Sequence, residues 1–186
     1  MNRYIYLDRD GVINVDGVGR TETGYVMKWE NFEFAPGALE GMKMFGDAGY
    51  EIVVLSNQQC VGKGYCTEEE LEALSEKMSE EIEAHGGKMA GVYCCPHLKT
   101  EGCECRKPKP GLFEEAMEDL GIENFESGFY VGDTERDIAA GKAAGLKTIL
   151  ILTGKAKKED IENWTSIPDH VCANMVEVAE LVIGEK

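Results

Sequence analysis

Acidic side chains directly follow two hydrophobic segments of the chain. In YIYLDRDGVIN, the segment Tyr4–Leu7 has the pattern of a short buried strand, and Asp8 and Asp10 come immediately after it. In SGFYVGDTERD, Asp133 follows a second such segment. Carboxylates that meet in one cleft repel each other, and Mg²⁺ is a cation that suits such oxygen ligands when phosphate groups are also bound. A carboxylate beside that ion can act as a nucleophile, and a second one can act as a general acid and base.

A cluster of cysteines with one histidine predicts a zinc site. The segment CCPHLKTEGCECRKPKPG contains two close pairs of ligands joined by a short loop, Cys95 with His97 and Cys103 with Cys105. Three thiolates and one imidazole complete a tetrahedral shell, so we expect a closed structural zinc with no open position for chemistry. The alternative is a group of free thiols with a surface histidine. Cys94 is left over, and we expect it to point to the opposite side of its strand and to belong to the core.

The residues that follow the cluster favour the zinc interpretation. Arg106 and Lys107 come directly after Cys105, so a loop tied by metal would hold two cations over the predicted carboxylates. The seven cysteines are an odd number, which excludes complete disulfide pairing. A chain without a secretory signal is expected to keep them reduced.

Composition and charge limit the classes of function. The chain has 186 residues, of which 43% are hydrophobic, and this fits one domain over 1–186 with a sizeable core. Its net charge of −16 argues against general affinity for nucleic acid or anionic membranes, because such binding needs a basic face. No apolar run is long enough to span a bilayer, and the first strand leaves no room for a signal peptide, so we expect a soluble, cytoplasmic protein. No patterned interface stands out, and we expect a monomer.

Helices alternate with short apolar strands along the chain. The predicted strands lie in YIYL, EIVVLSNQQ, KMAGVYCC, SGFYVGDTERD and KTILILTG, with helices between them and at 175–182. The helix in CTEEELEALSEKMSEEIEAHGG has the clearest signal, a capping box formed by Thr67 and Glu70. This order predicts an α/β fold with a mostly parallel sheet and helices on both faces. Ligands bind at the carboxyl ends of the strands in such sheets, so Ser56 and Asn57 should join the carboxylates at one edge.

Four segments, LDRDGVIN, LSNQQ, CRKPKPG and VGDTERD, resemble in this order the four sequence motifs of the haloacid dehalogenase (HAD) superfamily of phosphohydrolases. The resemblance implies a Rossmann-like (HAD-like) fold and Mg²⁺-dependent hydrolysis of phosphomonoesters through an aspartyl-phosphate. It implies that Asp8 is the nucleophile and Asp10 the general acid and base. Asp8, the backbone carbonyl of Asp10 and Asp133 would bind Mg²⁺. Ser56 would hydrogen-bond the transferring phosphoryl group, and Lys107 would neutralise charge on the nucleophile and the phosphoryl oxygens.

The cysteine-containing segment narrows the resemblance to a small-cap, zinc-containing subgroup. Its phosphatases of heptose bisphosphate and of histidinol phosphate both carry a C-P-H…C-x-C-R-K-P segment. GYV…NFEF and VGKGYCTEEEL resemble the heptose-bisphosphate enzymes, which makes a heptose bisphosphate the expected substrate. The short zinc-loop spacing and CPHL resemble the histidinol-phosphate enzymes, so histidinol phosphate and other small sugar or polyol phosphates stay open. No large cap domain is expected, since only a loop-sized stretch separates Asn14 from Phe34.

Further residues are expected on the substrate side of the site. Arg106 has a planar guanidinium that suits a second, non-reacting phosphate. The stretch 18–23 is inserted relative to the heptose-bisphosphate enzymes, and Thr134 replaces a lysine that often stands there. Asp137 is expected to support the site from the next helix, and KAKKED after Gly154 is interpreted as an exposed turn. The expected substrate-binding residues are Asp16, Gly24, Tyr25, Asn57, Gln58, Lys63, Arg106 and Thr134.

Two other classes of function share parts of this pattern. A non-catalytic, zinc-stabilised binding module could keep the same fold, but it would not require the complete set of catalytic residues. Phosphotransfer to another sugar, as in mutases, usually needs a larger cap that excludes water, and none is visible. A phosphatase is therefore the leading hypothesis, and its expected partner is a small phosphorylated sugar.

Overall fold

Six parallel strands form one sheet in the structure, a computed structural model that describes residues 3–125 and 128–185. The strands are β1 (Arg3–Leu7), β2 (Tyr50–Asn57), β3 (Met89–Cys95), β4 (Phe129–Gly132), β5 (Lys147–Ile151) and β6 (His170–Cys172). Their order across the sheet is β3-β2-β1-β4-β5-β6, and every neighbouring pair is parallel. The helices are α1 (Ala38–Asp47), α2 (Glu68–Ala84), α3 (Gly111–Leu120), α4 (Glu135–Ala143) and α5 (Met175–Gly184), with short 3₁₀ helices at Trp29–Asn31 and Lys158–Asn163.

β1 lies between β2 and β4 and is buried on both faces. Its Leu7 pairs with Val54 of β2 and with Val131 of β4. Ile5, Tyr6 and Leu7 are all buried. Strands covered on both faces have continuous apolar runs, which is the pattern of YIYL and IVVL. The carboxyl ends of β1, β2 and β4 therefore lie side by side at one edge of the sheet.

Helices cover both faces of the sheet, as the sequence predicts. On one face, α1 and α5 bury Met42 and Val178 against the strands, and on the other face α3 buries Phe113. α1 and α5 approach closely because Gly41 has no side chain, and a Cβ there would lie 2.4 Å from the backbone oxygen of Met175. The α/β fold with a mostly parallel sheet is thus confirmed. Within the described residues, no helix combines the length and the apolar character needed to cross a membrane.

α2 begins at the predicted capping box. The backbone N of Glu70 donates to Thr67 Oγ1 at 3.2 Å, and the backbone N of Thr67 donates to Glu70 Oε2 at 2.9 Å. A cap of this kind stabilises a helix by about 1 kcal/mol. Leu71, Leu74 and Met78 are buried on the face that the sequence pattern predicts. The cap fixes the end of the loop that leaves the carboxyl end of β2.

The segment between β1 and α1 forms a loop anchored by aromatic side chains. The rings of Trp29 and Phe32 stack with their centroids 5.0 Å apart, and Phe34 packs edge-on against Phe32 at 5.1 Å. Asn14 forms isolated β-bridges with Asp10 and with Phe34. Among the described residues, this segment contains no separate domain that could act as a large cap, in agreement with the sequence.

The sequence does not predict β6. The strand is only three residues long and follows Pro168 and Asp169, so it lacks the length and alternation by which strands are recognised. It pairs with β5 through Leu150 and Val171 and extends the sheet by one strand. The sheet edge near β5 is therefore covered, and the buried residues of β5 belong to the interior of the sheet.

Candidate active site

Three buried carboxylates meet at the carboxyl ends of β1 and β4. Asp8 follows β1, Asp133 follows β4, and Asp137 lies in the first turn of α4. Each offers an oxygen within 4.8 Å of the oxygens of the other two. These residues expose 6%, 2% and 0% of their surface, respectively, so bulk water does little to screen their repulsion. The structure thus brings together Asp8 and Asp133, which the sequence predicts as neighbours.

A buried lysine lies beside these carboxylates. Lys107 Nζ is 3.0 Å from Asp8 Oδ1 and 2.8 Å from Asp137 Oδ1. It also donates to the backbone oxygen of Leu55 at 2.8 Å and to Tyr130 Oη at 2.6 Å. Burial lowers the pKa of Lys107, but Asp137 and Asp8 outweigh burial and raise the pKa above its usual value. Lys107 is therefore charged and held in one position at the base of the site.

Asn57 fixes the backbone of Lys107. Asn57 Nδ2 donates to the Lys107 backbone oxygen at 3.1 Å, and the Lys107 backbone N donates to Asn57 Oδ1 at 3.0 Å. Asn57 is the last residue of β2, so this pair of hydrogen bonds joins the sheet to the segment after the cysteine cluster. The sequence predicts Asn57 as a substrate-binding residue. It borders the cleft, yet both polar groups of its amide already hold Lys107.

Three donors hold the Asp10 carboxylate. Arg9 Nη2 and Asn14 Nδ2 donate to its Oδ1 at 3.0 and 2.9 Å. Gln58 Nε2 donates to its Oδ2 at 2.7 Å. Burial raises the pKa of Asp10, but Arg9 and these hydrogen bonds outweigh burial and lower the pKa below its usual value. Asp10 is therefore ionised and oriented by the protein itself.

Lys107 alone does not balance the negative charge of the three clustered carboxylates. Burial, together with the charges of Asp137 and Asp8, raises the pKa of Asp133 to about 8. Burial also raises the pKa of Asp8 against the opposing charge of Lys107, and Asp137 adds to the rise. A divalent cation would neutralise this excess, and carboxylate oxygens at such a site are ligands that Mg²⁺ prefers. The residues at this edge of the sheet therefore fit a magnesium ion.

The cysteine cluster has the geometry of a tetrahedral metal site. A zinc ion with Zn–S bonds of about 2.3 Å would place neighbouring ligand atoms about 3.8 Å apart. His97 Nδ1 lies 3.7 Å from Cys95 Sγ and 3.2 Å from Cys105 Sγ. Cys103 Sγ lies 3.6 Å from each of the other two sulfur atoms. The four predicted ligands therefore converge, and their arrangement is compatible with zinc.

A cleft with a volume of about 240 Å³ opens above the carboxylates. Asp8, Asp10 and Asp133 lie at its acidic side, and basic side chains line other parts of it. Lys63 contributes one of these cations and lies over the ring of Tyr25, 5.1 Å from the centroid. The cleft can therefore hold one anionic group beside the carboxylates and further polar groups near the basic side chains. Six of the expected substrate-binding residues line it: Asp16, Gly24, Tyr25, Asn57, Lys63 and Arg106.

Comparisons with known proteins identify the family. Residues 104–178 match the family model described as HAD-hydrolase-like. The chain is 36% identical to the D-glycero-beta-D-manno-heptose-1,7-bisphosphate 7-phosphatase of Pasteurella multocida strain Pm70, with 100% of both chains covered. The chain belongs to the heptose-1,7-bisphosphate 7-phosphatase family of HAD-like hydrolases.

Other members of this family resemble the chain over most of its length. The enzyme of Photorhabdus laumondii is named for the alpha anomer and is 34% identical, with 85% of this chain and 87% of the relative covered. The crystal structure of D,D-heptose 1,7-bisphosphate phosphatase from B. bronchiseptica, complexed with magnesium and phosphate, gives a TM-score of 0.87. That protein is 28% identical, and 99% of each chain is covered. The protein is therefore a phosphatase with the HAD-like fold, as the sequence predicts.

Two residues predicted to bind substrate do not line the cleft. Gln58 is 0% exposed. Its Nε2 donates to Asp10 and, at 2.9 Å, to Ser56 Oγ. Thr134 is the N-cap of α4, and its backbone N donates to Asp137 Oδ2 at 3.2 Å while its hydroxyl bonds to the same oxygen. Both side chains are occupied in positioning other polar groups, which corrects the two predictions.

Cys94 also departs from its predicted position. The alternation of β3 turns Cys94 away from Cys95, as expected, and the register places it beside Ser56 of β2. Its side chain is only partly buried by its neighbours and lies within electrostatic range of Arg9 and Asp10 rather than in the hydrophobic core. Burial raises the pKa of the Cys94 thiol to about 11, so the thiol is protonated beneath the site.

Three residues of the cleft are absent from the sequence prediction: Gln59, Arg136 and Lys155. Gln59 Nε2 donates to Tyr25 Oη at 2.7 Å, and Arg106 Nη2 donates to Gln59 Oε1 at 3.3 Å. Gln59 thus connects two of the predicted substrate-binding residues. The sequence has two consecutive glutamines here, Gln58 and Gln59. Only the turn after β2 determines which of the two faces the cleft.

Lys155 corrects the interpretation of KAKKED as an exposed turn. Its backbone N donates to Asp133 Oδ2 at 2.8 Å, and its Nζ lies 2.7 Å from Asp16 Oδ2. The side chain is half-exposed and lines the cleft. The position of this lysine just after the fifth strand could have predicted its place at the cleft, because loops at the carboxyl ends of parallel strands border the ligand site.

Proposed function

We propose that the protein hydrolyses the 7-phosphate of D-glycero-D-manno-heptose 1,7-bisphosphate with the help of Mg²⁺. The observation that carries the proposal is the buried ion pair of Lys107 with Asp8 beneath a cleft that also contains basic side chains. Relatives that match nearly the full length of the chain and are named for this activity support the choice of substrate.

Asp8 is the proposed nucleophile. The backbone N of Arg9 donates to Asp8 Oδ1 at 2.8 Å, and Lys107 Nζ lies 3.0 Å from the same oxygen. These two contacts orient the carboxylate, so that it can attack the phosphorus atom of a bound ester. The bond from phosphorus to the sugar oxygen breaks as the bond to Asp8 forms. A water molecule then hydrolyses the aspartyl-phosphate and regenerates the carboxylate.

Asp10 is the proposed general acid and base. Its pKa is lowered in the free protein, so it must acquire its proton when the negatively charged phosphate ester enters the site. An added negative charge close to a carboxylate favours the protonated form. Asp10 then donates this proton to the departing sugar oxygen and later accepts a proton from the attacking water. Its donors, among them Gln58 and Asn14, keep the carboxyl group in place through both steps.

Ser56 and the carboxylates complete the phosphate site. Ser56 Oγ accepts a hydrogen bond from Gln58 Nε2, which leaves the hydroxyl proton available to a phosphoryl oxygen. Asp8, Asp133 and the backbone carbonyl of Asp10 would hold Mg²⁺. When bound, this ion neutralises negative charge on the phosphoryl oxygens and polarises them for attack.

We propose that the cysteine cluster holds a structural zinc ion. All four ligand positions are supplied by protein side chains, which is the arrangement of closed structural sites. The position of Cys105, two residues before Lys107, supports this role. A zinc ion there would fix the start of the segment that carries the catalytic lysine.

Arg106 is the proposed contact for the second phosphate of a bisphosphate. Its Nη1 donates to the His97 backbone oxygen at 3.2 Å, which orients the guanidinium at the cleft while further N–H groups remain for a ligand. Monophosphates such as histidinol phosphate would leave this contact unused. They are therefore expected to be poorer substrates, and they are comparison compounds in the test.

The test is phosphate release with Mg²⁺ from a panel of substrates. The panel contains both anomers of heptose 1,7-bisphosphate, histidinol phosphate and simple sugar phosphates. We expect kcat/KM for one heptose anomer to exceed the others by about a hundredfold, which is roughly 2.7 kcal/mol of transition-state discrimination. A preference for histidinol phosphate, or weak activity across the whole panel, would contradict the proposed substrate.

The variant Asp8→Asn distinguishes the hypothesis of an enzyme from that of a non-catalytic binding module. We expect this change to lower kcat for every substrate by a factor of about 10³ or more, because the amide is a poor nucleophile. Asp119→Asn is the matched control, since Asp119 is exposed on α3, and it should retain full activity. Turnover that survives in Asp8→Asn would exclude the aspartyl-phosphate mechanism.

One domain over 1–186, a monomeric state and a cytoplasmic location are also part of the proposal. The single sheet supports one domain, and the seven free cysteines support a reducing compartment. Sedimentation of the purified protein tests the monomer directly.

A further inference from the structure

A second cavity lies beside the catalytic cleft, and apart from Arg106 and Lys107 none of the residues that line it has a role in the proposed reaction. Its volume is about 620 Å³, compared with about 240 Å³ for the cleft. Arg106 and Arg136 line both cavities, so the two are neighbours. We call this cavity the basic groove, and its defining residues are Lys99, Arg106, Lys109 and Arg136 around Pro108 and Ala139.

The basic groove concentrates positive charge in an acidic protein. The chain as a whole has a net charge of −16, whereas five cations, the four defining residues and Lys107, line this one cavity. Glu135 is the single acidic residue among the described residues that line it. Its Oε1 accepts hydrogen bonds from the backbone N of Thr165 at 2.6 Å and of Ser166 at 3.2 Å, so part of its charge is already engaged. The groove therefore attracts anions where most of the surface repels them.

The fold fixes two of the four defining cations and leaves the other two available. Arg106 is held by the His97 backbone oxygen. Lys109 Nζ donates to the backbone oxygen of Gly102 at 3.1 Å and pairs at 2.7 Å with Glu104 Oε1, an exposed carboxylate that does not line the groove. In the described part of the chain, no hydrogen bond or salt bridge engages the side chain of Lys99 or Arg136. A ligand would thus meet two positioned cations and two that can turn towards it.

We infer that the basic groove binds an anion that carries two or more phosphate groups. Four cations can interact with several negative charges at once, whereas a single phosphate would leave some of them unused. The volume lies within the range of small-molecule sites, and Pro108 and Ala139 give the groove an apolar wall that can contact the rest of the ligand. This site is distinct from the carboxylates of the cleft, which the groove does not include.

The test is calorimetric titration of the protein with tripolyphosphate in buffer without Mg²⁺, with inorganic phosphate as the comparison. Without Mg²⁺ the carboxylates of the cleft repel anions, and the variants of Lys99 and Lys109, which line the groove but not the cleft, assign the binding to the groove. We expect one saturable site for tripolyphosphate, at least about tenfold weaker binding of inorganic phosphate, and loss of affinity as salt is raised. In Lys99→Ala/Lys109→Ala, tripolyphosphate affinity should fall at least about tenfold.

The matched control is Lys77→Ala/Lys88→Ala, which removes the same charge from exposed positions on α2 and before β3. It should bind tripolyphosphate as the unchanged protein does. Equal losses of tripolyphosphate affinity in both double variants would show that net charge alone causes the effect. No loss in either would show that the anion binds outside the groove. Both outcomes would overturn the proposal. Hydrolysis of an aryl phosphate with Mg²⁺ should be unchanged in both variants, which verifies the fold without relying on the proposed heptose substrate.

Discussion

At the scale of single residues, two glycines shape the active site without contributing a functional group. A Cβ at Gly11 would lie 2.3 Å from Asp133 Oδ2, and a Cβ at Gly154 would lie 2.2 Å from the same oxygen. The backbone N of Lys155 donates to this oxygen as well. The Asp133 carboxylate is therefore enclosed by main chain, which holds it towards Asp8 despite their repulsion.

Gly154→Ala should damage catalysis more than stability. The added methyl group must displace the Asp133 carboxylate, and a shift of about 1 Å at a reacting centre can lower the rate about a hundredfold. We expect kcat/KM to fall about a hundredfold and the Mg²⁺ concentration for half-maximal activity to rise. Steady-state kinetics at varied Mg²⁺ measures both quantities.

Gly184→Ala is the control for this change. No atom lies within 4 Å of a Cβ at Gly184, which is at the end of α5. Its activity and Mg²⁺ requirement should match those of the unchanged protein. If Gly154→Ala kept normal kinetics, the enclosure of Asp133 would have no role in positioning a metal ligand.

At the scale of secondary-structure elements, Asp169 joins β5 to the start of β6. Asp169 Oδ2 accepts hydrogen bonds from the backbone N of Thr148 at 2.8 Å and from Thr148 Oγ1 at 2.7 Å. Lys142 Nζ from α4 lies 3.2 Å from its Oδ1. Partial burial raises the pKa of Asp169, but the bonds from Thr148 and Lys142 outweigh it and lower the pKa below its usual value. The side chain of Asp169, which directly precedes β6, thus helps to hold this short strand, which the sequence does not predict.

Asp169→Asn should lower the free energy of unfolding by about 1 kcal/mol at pH 7, because it removes charge from these hydrogen bonds. The folded pKa lies below the unfolded value of about 3.9, so this stabilisation is complete above that value and is lost as the pH falls through the folded pKa. Urea unfolding at pH 7 and near pH 3 should show the difference shrink. A difference that is independent of pH would rule out the charge of Asp169 as its source.

The strands that carry the proposed catalytic groups were the predictable elements. β1, β2 and β4 are continuous apolar runs that end in polar residues, and the capping box of Thr67 and Glu70 marks α2. The loops after the strands were less predictable, because adjacent polar residues such as Gln58 and Gln59 take opposite directions in a turn. Lys155 was missed for a related reason, since its contact with Asp16 joins segments that are distant in sequence.

At the scale of the whole molecule, the cysteine cluster and the catalytic site are mechanically connected. Cys95 ends β3, and Cys105 lies two residues before Lys107. Lys107 is in turn held by Asn57 at the end of β2. A metal ion bound by the cluster would therefore fix both the edge of the sheet and the lysine that contacts Asp8, the proposed nucleophile.

Removal of zinc should lower both stability and activity. With a chelator selective for zinc over magnesium, we expect Tm to fall by at least about 5 °C, because the binding energy of a structural metal contributes to folding. Phosphate release should fall in parallel, since Lys107 loses one of its supports. Thermal denaturation and turnover in fixed Mg²⁺ measure the two effects.

Variants of single cysteines sharpen this test. Cys105→Ser should reproduce the effect of the chelator, whereas Cys66→Ser, outside the cluster, should respond to the chelator as the unchanged protein does. A melting curve of the unchanged protein that did not move with chelator would contradict a structural role for zinc.

The position of β1 has a consequence for how the protein folds. β1 pairs with β2, which follows it closely along the chain, and with β4, which comes only after α3. Contacts between distant segments form late, because a long loop must first be closed. An intermediate in which β1 had paired only with β2 would already contain Asp8 and Asp10 but not Asp133 in its place. During refolding, the return of phosphatase activity would therefore report when β4 docks, and not when the first strands collapse.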